Sequence, residues 1–136
     1  MSKFVIEIHS GGAKFDAQAT ADQLDQKWQL NIEIEGHAYS AEGWDCLDAF
    51  NKIRGPLEQR YTFLCNGARP NFLLSPMASQ AGGLEGYRVP GGRKARLSDL
   101  VPIFDAAPLE EIGSVHEQAE FRQKYMEQVQ RGELPN

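Results

Sequence analysis

Apolar and polar residues alternate twice near the start of the chain. In KFVIEIH, residues 3–9, Phe4, Ile6 and Ile8 fall on one phase and Val5, Glu7 and His9 on the other. In WQLNIEIEG, residues 28–36, Trp28, Leu30, Ile32 and Ile34 oppose Gln29, Asn31, Glu33 and Glu35. A period of two marks a strand with one buried face. A second, wet face is the habit of antiparallel sheets. Ser10-Gly11-Gly12 supplies a turn, so residues 14–20 are expected to form a strand between the other two.

The period then changes to three and four. Trp44, Leu47, Phe50, Ile53 and Leu57 make one apolar stripe, the pattern of a helix laid on the sheet. Ser40 is expected to cap its start, with acids near the positive end of its dipole. Gly55-Pro56 interrupts the stripe and predicts a kink or a second short helix near Pro56. YTFLC, residues 61–65, has strand composition, and Asn66-Gly67 then suits a reversal through positive φ. NFLLSPMA continues as a strand with Pro76 at its edge or end, and LEGYRV, residues 84–89, forms another between two Gly-Gly pairs. Ser98-Asp99 can start a short helix, which Pro102 and Pro108 fragment. Ser114-Val115-His116-Glu117 matches the reciprocal capping box. Phe121, Tyr125 and Val129 follow at four-residue intervals before Gly132 closes the last helix. The assembly these elements imply is one α+β domain over residues 1–136, a mainly antiparallel sheet of about five strands with two main helices.

Composition adds limits. A chain of 136 residues, 41% hydrophobic, can bury one core without metals or disulfides. The first thirty residues hold no apolar run of signal-peptide length, and no membrane-spanning run of about 18 apolar residues occurs, so a soluble cytoplasmic protein with no membrane partner is expected. Cys46 and Cys65 form no CxxC pair, and His9, His37 and His116 lack a second ligand type at metal-site spacing. No metal, cofactor or disulfide is expected.

Charge is distributed unevenly. Residues 1–50 carry three Lys/Arg against nine Asp/Glu, residues 51–100 eight against three, and residues 101–136 three against seven. Alternation of this kind implies surface patches of opposite sign, which steer charged partners.

Candidate chemistry follows from a few residues. Cys65 can be a nucleophile if His37 or His116 reaches it as base and Asn66 assists; the competing reading is a buried thiol at the end of an apolar strand. Arg88, Arg93, Lys94 and Arg96 beside Tyr87 offer cations and an aromatic to RNA. Against this, the pI near 5.2 disfavours a nucleic-acid partner. The glycines of QAGGLEGYRVPGG do not follow GxxxxGK[ST] and read as turns, which leaves no small-molecule phosphate site expected. Glu33/Glu35 and Asp45/Asp48 are paired carboxylates, but without an apolar pocket to shift a pKa they are surface charges. Trp28 and Trp44 each fall on an apolar phase and are assigned to the core.

The run LCNGARPNFLLSPMASQAGGLEGYRV, followed by SDLVPIFDAAP and GSVHEQAEFRQKYMEQV, resembles small bacterial proteins of Rhs-type polymorphic toxin loci. The resemblance spans about residues 44–130, and such proteins look like immunity proteins. It implies that the partner is a cognate toxin domain, neutralised by stoichiometric protein–protein contact with no catalysis. A basic cleft on the toxin would be met by Glu33 and Glu35 on the wet sheet face and by Glu42, Asp45 and Asp48 on the first helix, with Tyr39 or Tyr87 as an aromatic anchor.

Overall fold

The alternating segments form an antiparallel meander. In the computed structural model, which describes residues 1–136, β1 (Ser2–Ser10), β2 (Ala13–Leu24), β3 (Lys27–Ile34) and β4 (His37–Gly43) are joined by successive hairpins. The short β5 (Thr62–Phe63) adds to the far side of β1, giving the order β4-β3-β2-β1-β5. β2 exceeds the predicted residues 14–20 because its buried positions are Ala17, Ala19 and Ala21, and alanine contributes little to a hydrophobic period.

Ile6, Ile8, Leu30, Ile32 and Ile34 are fully buried on one face of this sheet. Against them lies α1 (Cys46–Arg54), which contributes Cys46, Ala49, Phe50 and Ile53 to the core. Phe50 meets Phe63 and Phe104 edge-on, with centroids 5.4 and 5.6 Å apart, a favoured aromatic geometry. After Arg54 the chain tightens into a 3₁₀ turn over Gly55–Leu57, as Gly55-Pro56 predicted.

The start of α1 differs from expectation. Ser40 sits in β4, paired with Asn31, and its hydroxyl donates to the Asn31 side chain. The cap is Asp45, whose Oδ1 accepts the Asp48 N–H at 2.8 Å. Continued ladder pairing carries β4 to Gly43, so Trp44 falls ahead of the helix and is 66% exposed instead of joining the core. Trp28 is half-buried and packs against the core as predicted. A Cβ on Gly82 would lie 2.3 Å from the Trp28 ring.

A second, smaller sheet of order β6-β7-β8 is built from β6 (Phe72–Leu73), β7 (Glu85–Arg88) and β8 (Leu100–Pro102). Two parts of it depart from the sequence reading. Pro76 opens the short helix α2 (Pro76–Gln80) behind the cap Ser75, where its missing N–H costs nothing. Ser98-Asp99 gives only a 3₁₀ turn before the unforeseen β8. Asn66-Gly67 lies in a buried 3₁₀ turn, Asn66–Ala68, without positive φ. Glycine is needed there because a Cβ would stand 2.6 Å from Ile103 Cγ1. The last helix, α3 (Val115–Gln130), carries the predicted Ser114/Glu117 capping box and ends before Gly132 at φ +67°. The whole is a single α+β domain with two antiparallel sheets. No helix is long and apolar enough to cross a membrane.

Candidate functional site

The second face of the large sheet has no layer over it. Its residues follow from the register: Val5, Gln18, Glu33 and Ala38 run across the four long strands, as do Asp22, Gln29 and Glu42 across three of them. Every residue of this phase on β1–β4 is exposed or half-exposed. The face carries five carboxylates, from Glu7, Asp16, Asp22, Glu33 and Glu42, against the three lysines Lys3, Lys14 and Lys27. Lys14 pairs with Glu7 at 3.6 Å and the amino terminus with Asp22 at 3.5 Å. Asp16, Glu33 and Glu42 have no cation within ion-pair distance, so the field of the face is negative toward solvent.

The seven residues singled out in the sequence do not share this surface. Glu33 and Glu42 do, although Glu42 belongs to β4 and not to the first helix. Glu35 turns the hairpin at φ 51°, and its carboxylate accepts the Tyr61 hydroxyl at 2.8 Å. That bond, with a smaller contribution from burial, raises the Tyr61 pKa. Tyr39 pairs with Ile32, which puts it on the buried phase, half-covered by the core. Asp45 is buried and engaged by the Asp48 N–H and the Ser79 hydroxyl. Asp48 accepts the Trp44 N–H at 3.1 Å and pairs with Lys52 at 3.4 Å. Tyr39 and Asp45 are therefore withdrawn as contact residues by packing and capping. The sequence reading missed Asp16 and Asp22, which the alanine phase of β2 disguises, and left out Glu7, whose place the alternation of KFVIEIH already gave.

A groove of about 790 Å³ opens on the side of α1 turned from the sheet. Positions 46, 49, 50 and 53 of α1 face the sheet, whereas Leu47 and Asn51 face the groove, together with Leu74, Tyr87 and Val89. α3 spans it like a strap tied near both ends. At one end Gln118 Nε2 donates to the carbonyls of Gly67 and Arg69 at 2.8 and 2.9 Å, while its Oε1 accepts Asn51 Nδ2 at 2.9 Å. At the other, the Tyr125 hydroxyl accepts the Ala95 N–H and the Pro135 carbonyl accepts the Lys94 N–H, both at 2.9 Å. Of the sixteen residues of α3 only Gln118 is buried, so the strap is held by polar ties more than by packing. The groove can enclose an apolar group, and its wall includes the Ser79 hydroxyl that donates to Asp45.

Cys65 is fully buried, and burial pushes its thiol up to about 12 despite the opposing pull of the Arg54 charge. Such a thiol is not a thiolate at neutral pH. His37 is exposed at the start of β4 and His116 is exposed on α3 beside Glu120. Asn66 donates to the Pro102 carbonyl and accepts from Arg69 Nε, both at 2.9 Å. The arrangement proposed for a Cys65 nucleophile is therefore not assembled. Cys46 is likewise raised to about 12, by burial and then by Asp45. Arg54, 2% exposed, donates to Asn51 Oδ1 at 3.0 Å and the Gly113 carbonyl at 2.9 Å, and burial lowers its pKa.

The three arginines of the basic cluster are engaged within the chain. Arg93 grips Asp99 through two bonds of 2.9 and 3.0 Å, holding that carboxyl below its ordinary range. Arg88 reaches Glu111 at 3.4 Å, and Arg96 donates to the Asn136 carbonyl at 2.9 Å. Tyr87 lines the groove and is not a platform beside free arginines. The N–H groups of Gly82 and Gly83 bond Ser79 and Ala78 carbonyls, closing α2 and leaving no phosphate cradle there. Compared with known protein families and with curated proteins, the chain matches none.

Proposed function

We propose that this is an immunity-type protein: a cytoplasmic, stoichiometric inhibitor that lays its open sheet face over a basic cleft of a bacterial toxin domain. The observation that carries the reading is the uncovered antiparallel face with five carboxylates against three lysines, three of the acids unpaired. Blocking a cleft needs complementary shape and charge and no chemistry. The resemblance of residues 44–130 to proteins of Rhs-type toxin loci points the same way. On this reading Glu33, Glu42 and Asp16 make the electrostatic contacts. They capture the toxin quickly because the field acts before contact is made.

The test has two stages. Tagged protein recovered from its bacterial host should bring down a toxin C-terminal domain in stoichiometric amount. The double substitution Glu33→Lys and Glu42→Lys should then weaken that complex at least about tenfold while leaving the fold intact, since both side chains are exposed. Unchanged affinity would remove the sheet face. Recovery of RNA that is released steeply with salt would replace the reading by a nucleic-acid one.

A further inference from the structure

The large sheet has a long free edge at β4. At the other margin the two-residue β5 covers Ile8 and His9 of β1 and the rest of that edge carries Lys3, whereas β4 has seven residues and β3 on one side only. The unpaired backbone groups of β4 follow from its hairpin. Glu35 and Gly36 have φ of 51° and 83°, the signature of a type I′ turn, so the flanking pair Ile34 and His37 exchanges hydrogen bonds. By alternation Ile32 bonds Tyr39 and Leu30 bonds Ala41. The N–H and C=O groups of Ala38, Ser40 and Glu42 therefore point away from β3. The Glu42 carbonyl agrees with this phase, since it accepts Lys52 Nζ at 2.9 Å.

Exposed edges are normally guarded by proline, a bulge or lysine. HAYSAEG contains no proline or lysine, and its pairing runs unbroken from His37 to Gly43. We propose that β4 is a self-association edge: two copies of the chain pair β4 with β4, antiparallel, about a twofold axis at Ser40. A row of free N–H and C=O groups calls for an extended backbone, and the β4 sequence is complementary to itself. The register centred on Ser40 is the one that pairs all seven residues. It sets Ala38 opposite Glu42 of the second copy, Ser40 opposite Ser40, and Tyr39 opposite Ala41. Each charged or bulky side chain thus meets a small one, and no like charges are directly opposed. Lys52 need not leave, because the Glu42 carbonyl has a second lone pair. The axis stands perpendicular to the sheet, so the two acidic faces lie on the same side of one continuous sheet and both α1 helices lie on the other.

Sedimentation equilibrium of the full chain, from micromolar to millimolar concentration, is the test. The unsubstituted chain should pass from monomer to dimer. Ser40→Lys and Ser40→Glu each place like charges on the axis and should remain monomeric over that range, while an equimolar mixture of the two should dimerise. Ala38→Lys, set opposite Glu42, should tighten the dimer, and Ala38→Glu should loosen it, so the idea does not depend on substitutions at the axis folding well. A chain monomeric throughout, a dimer indifferent to both Ser40 substitutions, or a mixture that stays monomeric would overturn the proposal.

Discussion

Cys65 shows how one residue's chemistry is set by depth. Its place at the end of YTFLC already offered the buried reading, and full enclosure with a thiol at about 12 makes that reading hold. Neither thiol should react with a disulfide reagent at mildly alkaline pH in the native protein, and two per chain should react after denaturation. Rapid native labelling of either would contradict the account. Asp99 gives the corresponding statement for acid. Its folded pKa is depressed by Arg93, so its contribution is present above the ordinary carboxylate range and is lost as pH falls through the folded value. Thermal midpoints followed from neutral to acid pH should fall less steeply for Asp99→Asn than for the parent. Parallel curves would show that the Arg93–Asp99 pair is not linked to folding. Nothing in the local sequence betrayed this pair, because six positions separate its members and neither lies in a periodic segment.

Elements were legible where period and cap agreed. β1, β3 and α3 could be read because Ile6/Ile8, Leu30/Ile32/Ile34 and the Ser114/Glu117 box each carry a local signal that the tertiary structure keeps. The start of α1 was misread because two oxygens competed for it. Ser40 has the right chemistry for a cap, but pairing with Asn31 holds it in the ladder, and Asp45 takes the role five residues later. Asp45→Ala should therefore lower stability by about 1–2 kcal/mol, the usual cost of a lost N-cap, while Ser40→Ala should stay within about 0.5 kcal/mol, as for ordinary surface changes. Denaturant midpoints with reversed ranking would contradict the assignment. β8 and α2 escaped because Pro102 was read as a helix breaker and Pro76 as the edge or end of a strand, although Pro102 ends an edge strand and Pro76 opens a helix, positions that tolerate a missing N–H. The candidate site was half legible for the same reason. The wet phase of β3 was plain in the sequence, but its lateral neighbours on β2 depend on a register that only the folded sheet supplies.

At the scale of the molecule, the charge blocks seen along the chain resolve into different fates. The acids of residues 1–50 gather largely on an open face, while Arg88, Arg93 and Arg96 are tied to Glu111, Asp99 and the carboxy-terminal segment. The protein therefore presents a negative sheet on one side and, behind α1, an apolar groove strapped by α3. The proposed capture of a basic partner rests on the first of these. The most direct test is the association rate of the chain with the proposed toxin domain, measured against salt. Association should be fast at low salt and fall steeply as salt rises, and Glu33→Lys with Glu42→Lys should be slower and flatter by about tenfold or more at low salt. Equal rates for parent and double variant, unmoved by salt, would contradict the acidic face as the working surface.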